Sequence, residues 1–119
     1  MTVLGFAYVG LHTPDPAALS SFYRELLGAT PVAGTHEQLQ IGSAVLGFWQ
    51  AAAAGGQQST GFLVDEQELE AFAARARDLG LTAERTSYNA WSKGASVRDP
   101  EGRLVEVLVN DLAVFWTND

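Results

Sequence analysis

The chain contains no cysteine, which excludes disulfides, zinc–thiolate sites, iron–sulfur clusters and thiol catalysis together. Basic residues are also scarce: Lys93 is the one lysine, and six arginines are scattered along the sequence. Against these 7 stand 14 acidic side chains, for a net charge of -7. Such a chain lacks the basic footprint that displaces counterions from nucleic acid, and its acidity disfavours an anionic membrane surface. Nucleic acid and membrane are therefore not expected as partners. The apolar opening, residues 1–11, has no basic flank and is far shorter than a membrane span. It predicts neither a signal peptide nor an anchor, and the expected location is cytoplasmic. What remains is an ordinary globular balance, 47% hydrophobic and 18% charged over 119 residues, enough to bury one sizeable core.

Local signals alternate between strand and helix. Residues 3–11 are rich in β-branched and aromatic side chains and predict a strand. Asp15-Pro16 then signals a helix start, with the Asp as N-cap and the Pro at the first helical position. Leu19, Phe22, Tyr23, Leu26 and Leu27 form the apolar stripe of an amphipathic helix, which Gly28 ends. Extended runs are predicted over 30–34, 37–41 and 44–50, with turns at Gly34 and Gly42-Ser43. Residues 51–58, Ala- and Gly-rich and without period, predict a linker.

The pattern then starts again. Residues 59–64 predict a strand, and Asp65 with Glu68 forms an Asp-x-x-Glu version of the capping box. Leu69, Phe72, Ala73, Ala76 and Leu79 make a second helical stripe, closed by Gly80. Extended runs follow over 81–86, 93–98 and 103–109, and Asp99-Pro100-Glu101-Gly102 predicts a type I turn between the last two. The period is about 50 residues, an internal repeat. The fold class is α+β. Module one spans 3–50, the linker 51–58, module two 59–110 and a C-terminal tail 111–119.

Two sequence blocks carry a family resemblance. One runs Val9-Gly10-Leu11-His12-Thr13-Pro14-Asp15 and continues at Phe22-Tyr23-Arg24-Glu25-Leu26-Leu27-Gly28; the other is Val97-Arg98-Asp99-Pro100-Glu101-Gly102-Arg103-Leu104-Val105-Glu106. In this order the chain resembles the glyoxalase / bleomycin-resistance / dioxygenase group, the vicinal oxygen chelate superfamily. The resemblance implies two βαβββ modules forming a half-open curved sheet with a concave cleft. It also implies four metal-ligand positions, which fall here on Tyr8, Gly47, Ser59 and Glu106. Only Glu106 is a usual ligand for a divalent ion, since Gly offers no side chain and Tyr and Ser are poor donors. The expectation is no metal and no cofactor. His12 shares a strand face with Tyr8 and is read as a polar contact at the pocket rim; His36 and Glu37 are placed in an exposed hairpin turn. Glu106 is read either as a functional carboxylate or as a structural partner of Arg98 or Arg103.

Strand alternation puts Phe6, Tyr8, Gly10 and His12 on one face, and Val45, Gly47 and Trp49 on one face of another strand. Gly47 is expected to open room in the cleft. Trp91, in the loop Tyr88-Asn89-Ala90-Trp91-Ser92, is expected to cover it. The ligand-binding residues are thus Phe6, Tyr8, His12, Gly47, Trp49, Trp91 and Glu106. Rigid aromatic faces with few polar groups suit a flat or apolar small molecule. The resemblance implies metal-independent binding that sequesters an aromatic or cationic compound, as in the antibiotic-binding branch. The alternative is a glyoxalase- or dioxygenase-like lyase or isomerase, either metal-free with Glu106, His12 and Tyr8 as acid/base groups or metal-dependent. A homodimer is expected, because Leu112, Val114, Phe115 and Trp116 cluster apolar surface in the tail.

Overall fold

The computed structural model describes residues 6–34, 36–56, 59–89 and 92–109. The readings of residues 3–5, Trp91 and the tail 111–119 lie outside these. The chain divides into two compact units, residues 1–58 and 59–119. Each holds one helix and one sheet, the βαβββ order expected from the repeat.

In the first unit, β1 (Tyr8–Thr13) leads to α1 (Pro16–Leu27), then β2 (Thr30–Pro31), β3 (Glu37–Ile41), β4 (Ala44–Gln50) and β5 (Gly55–Gly56). The sheet order is β2-β3-β4-β1-β5, with β1 and β4 parallel. Asp15 caps α1 as expected, its Oδ1 accepting from the Ala18 N–H at 3.1 Å. Leu19, Tyr23 and Leu26 from the helix are buried with Leu11, Leu39, Leu46 and Phe48 from the strands. Tyr23 and Phe48 meet ring to ring at 5.5 Å. Full burial of each such side chain contributes about 1.5–3 kcal/mol, so this helix–sheet layer is the main support of the unit.

Part of the predicted linker is not a linker. Gly55–Gly56 pair antiparallel with His12 and Leu11 of β1, covering what would otherwise be a free sheet edge. The first strand also starts later than read, at Tyr8, leaving Phe6 before it.

The second unit runs β6 (Ser59–Leu63), α2 (Glu66–Asp78), β7 (Glu84–Asn89), β8 (Ser92–Arg98) and β9 (Leu104–Val109), in sheet order β6-β9-β8-β7. Leu69, Phe72 and Ala76 are buried with Ala95, Val97, Val105 and Val107. Helix α2 ends in a Schellman motif: Leu81 N–H bonds the Ala76 carbonyl and Gly80 N–H the Arg77 carbonyl, each at 2.9 Å. Gly80 sits at φ 81°, a conformation only glycine adopts freely. The capping box is half formed. Asp65 accepts from Glu68 N–H at 3.0 Å, but the Glu68 carboxylate goes to Arg75 at 2.5 Å instead of back to the cap. The stretch read as a loop over 88–92 is shorter than expected, since β7 continues to Asn89 and β8 begins at Ser92.

The turn at 99–102 forms as read, with Gly102 N–H on the Asp99 carbonyl at 3.0 Å. Asp99 is buried, and its Oδ1 accepts from the Glu101 and Arg103 amides at 2.8 and 3.0 Å. The buried Arg103 guanidinium donates to Asp99 at 3.1 Å and to Glu101 at 2.8 Å. Burial alone would lower the Arg103 pKa. The hydrogen bonds and charges of Asp99 and Glu101 outweigh it and leave the pKa raised. Among the described residues, no helix is long and apolar enough to cross a membrane.

Candidate functional site

The exposed face of the first sheet follows from strand parity. Leu11, Thr13, Leu46 and Phe48 are buried on the α1 side, so Tyr8, Gly10 and His12 of β1 and Val45, Gly47 and Trp49 of β4 share the other face. The parallel register sets Gly10 beside Gly47 and His12 beside Trp49. Between β3 and β4 the register sets Gln38 beside Gly47.

The Trp49 indole lies back over the two glycines. A Cβ on Gly10 would sit 2.4 Å from Trp49 Cζ3, and one on Gly47 would sit 2.5 Å from Trp49 Cη2. Both distances are far inside carbon–carbon contact, so the ring rests on a shelf that only glycine leaves open. The space expected to be free above Gly47 is thus occupied by the protein's own tryptophan. Tyr8, 62% exposed, stands beside the indole with ring centroids 5.6 Å apart and planes at 56°. Tyr8, Gly10, His12 and Trp49 line a depression of about 310 Å³.

His36 is exposed before β3, as the turn reading had it, and its contact with Trp49 is what that reading did not foresee. Glu37 begins β3, and the His36 ring packs against the Trp49 indole at 4.9 Å and 43°. The signal was present. The two-residue turn Gly42-Ser43 pairs Ile41 with Ala44 and Glu37 with Phe48, and one more step back puts His36 opposite Trp49. His12 and His36 therefore flank Trp49 in one cross-strand row. Phe6 precedes β1 and is 82% exposed, so strand alternation does not place it on this face. Trp91 lies outside the described residues.

Glu106 belongs to the other unit. It is half-buried on β9, with Gly61 of β6 on one side and Ser96 of β8 on the other; Glu84 follows beyond Ser96. The Arg98 side chain donates to the Gly102 carbonyl at 3.2 Å, and Arg103 serves the turn. Strand β9 and strand β1 are in different sheets.

Registers also align the two halves. Tyr8 pairs across from Val45 as Ser59 does from Leu104, and Gly10 from Gly47 as Gly61 does from Glu106. The four positions implied for metal ligation are thus equivalent in pairs, Tyr8 with Ser59 and Gly47 with Glu106. Their donor set does not fit a divalent ion. Gly47 contributes no side chain, and an indole covers it. Among the described residues, no three His, Asp or Glu side chains gather closely enough to share an ion.

Residues 8–108 match the glyoxalase-like domain family. No curated protein sequence matches the chain. Among solved structures, the oxidase ChaP-H2 is similar at 24% identity and TM-score 0.77, over 93% of this chain and 96% of that one. A lactoylglutathione lyase from Agrobacterium tumefaciens is similar at 20% identity and TM-score 0.76, over 93% and 97%. The fosfomycin resistance protein FosX from Mesorhizobium loti follows at 15% identity and TM-score 0.71, over 98% and 100%. At these identities the likeness is one of fold, on which many functions are built. The family match over most of the chain, joined to the paired βαβββ modules, settles the kinship: the chain belongs to the glyoxalase-like domain family of the vicinal oxygen chelate superfamily.

Proposed function

We propose that the chain is a metal-independent small-molecule-binding protein that sequesters an aromatic or cationic compound. The observation carrying this reading is the Trp49 indole held on the Gly10–Gly47 shelf, with the exposed Tyr8 ring 5.6 Å away. A seated indole presents a flat, rigid surface without losing rotamer freedom when a ligand stacks on it. Tyr8 and His12 stand at the edge of the same depression and supply polar contacts. Solved neighbours of this fold include a resistance protein as well as an oxidase and a lyase. The missing donors at Tyr8, Gly47 and Ser59 favour binding over metal-assisted chemistry.

The experiment is native mass spectrometry of the purified protein with a library of flat cationic and neutral aromatics, followed by fluorescence titration of each hit. Binding quenches emission, and Trp49→Phe removes most of that quench. Many turnovers of a hit per chain would replace sequestration by catalysis. One tightly held transition metal per chain by elemental analysis would refute metal independence. The same reading makes the protein a cytoplasmic homodimer, and light scattering that finds a monomer at micromolar concentration overturns the dimer.

A further inference from the structure

A further hollow in the first unit lies beside the depression above the glycine shelf. It is an open groove of about 850 Å³ near the carboxyl ends of the parallel strands β1 and β4. The start of α1 forms one wall, the loop between β2 and β3 another, and Phe48, Trp49 and Gln50 a third. Trp49 therefore lines both hollows.

The charged groups of this groove have one sign, and its other titratable side chain is His36, packed on the Trp49 indole. No lysine or arginine lines it, whereas Asp15 and Glu37 both do. One oxygen of Asp15 caps α1; the other accepts no hydrogen bond among the described residues, nor does the exposed Glu37 carboxylate. Gln38 and Gln50 each use their amide nitrogen on a backbone carbonyl, Ala33 at 3.2 Å and Pro14 at 2.9 Å. That fixes which end of each amide is oxygen, and both oxygens are without a donor among the described residues. The groove thus offers two carboxylates and two amide oxygens as acceptors, beside the Trp49 indole and the His36 imidazole packed on it. Pro16, Pro31 and Val32 supply apolar surface around them.

Acceptors and negative charge against an aromatic face select a donor-rich cation, through charge-assisted hydrogen bonds and cation–π attraction. We propose that this groove is a second binding site, for a small molecule carrying an amidinium, guanidinium or ammonium head on a flat apolar body. The site goes beyond the proposed use of the sheet face and shares Trp49 and the flanking His36 with it.

Three probes of nearly equal size separate the possibilities: benzamidine (cationic), benzamide (neutral) and benzoate (anionic). Each is titrated into the full chain, and backbone amide shifts are followed by NMR. Benzamidine is expected to shift Ala17, Glu37, Gln38 and Gln50 with at least tenfold higher affinity than the other two. The double change Asp15→Asn with Glu37→Gln removes both charges; Asn caps a helix as well as Asp does, so α1 is retained. It is expected to weaken benzamidine at least fivefold while leaving spectral dispersion intact. Glu37→Lys alone, remote from the cap, gives the same direction if the double variant misfolds. Equal shifts by benzoate, or unchanged affinity in either folded variant, overturn the proposal. Shifts confined to Gly10 and His12 overturn the groove while supporting the sheet-face reading, so the two fail separately.

Discussion

Gly47→Ala tests the shelf directly. The added methyl would lie 2.5 Å from Trp49 Cη2 and 2.6 Å from Cζ3, so the indole must rise by about 1 Å or swing away, given carbon contacts near 3.5 Å. A tryptophan buries up to ~250 Å², and roughly a third of that against the shelf is worth about 2 kcal/mol at ~25 cal/mol per Å². Losing half or more costs about 1–2 kcal/mol, and the gain of alanine over glycine in a strand offsets about 0.5–1 kcal/mol. The net expectation is a loss of about 0.5–1 kcal/mol. With Trp49→Ala already in place the clash is gone, and Gly47→Ala becomes stabilising by about 0.5 kcal/mol. Gly61→Ala is an internal control: its register matches that of Gly10, but its Cβ would meet only Leu108 Cδ1, at 3.4 Å. It should be neutral or stabilising. Urea unfolding followed by far-UV circular dichroism reads all four variants without relying on tryptophan emission. If Gly47→Ala and Trp49→Ala add within about 0.3–0.5 kcal/mol, the indole does not rest on the glycine and the shelf is wrong.

Other consequences are simpler. Asp99→Ala leaves the Arg103 guanidinium buried without its 3.1 Å partner and two amides without an acceptor, and should cost about 3–5 kcal/mol in the same unfolding experiment; a loss below about 1 kcal/mol would show the turn supported by other contacts. Asp65→Ala should cost about 1 kcal/mol by removing the Glu68 N–H acceptor, and Asp65→Asn only a few tenths, roughly. Equal costs for the two would mean that charge, not the cap bond, holds that helix end. Phe48→Ala empties the contact with Tyr23 and should lower stability by about 3–5 kcal/mol; a small change would mean the helix and sheet of the first unit collapse around the gap.

What the sequence disclosed was mostly what local physics decides. Asp15 and Asp65 cap helices because a short carboxylate reaches the N–H three residues on, whatever the tertiary setting. Parity placed Tyr8, Gly10, His12, Gly47 and Trp49 on common faces, since alternation needs no knowledge of partners. The direction in which the indole leans was not legible, because side-chain torsions are set by neighbouring strands. The pairing of Gly55–Gly56 was also hidden: two glycines have no strand preference, and only the open edge of β1 recruits them. Glu68 was drawn from the capping box by Arg75, seven residues further along the helix. His36 was different. Its place followed from counting back from the turn: the run over 37–41 matches β3, and the register carried one residue beyond it sets His36 opposite Trp49.

The repeat gives a reason to look for function in the first half. Register equivalence matches Gly10 with Gly61, Gly47 with Glu106, and Trp49 with Leu108. Leu108 lies against Gly61 at ordinary contact, much as Trp49 lies against Gly10, so the backward lean is common to both units. The side chains set on that shared geometry are not common. Where the second unit has an aliphatic group and a carboxylate, the first has an indole and a second glycine that lets the ring settle flat. His12 and His36 flank that indole, while the corresponding places beside Leu108 hold Leu63 and Gly94. Packing alone does not call for this difference, because both sheets are held by their buried, helix-facing sides. An aromatic row whose half-buried indole is seated on two glycines, each less stable in a strand than alanine, is structure maintained at a cost to folding. Two strand glycines that seat a half-buried ring are what the proposed stacking of a ligand on that ring would require.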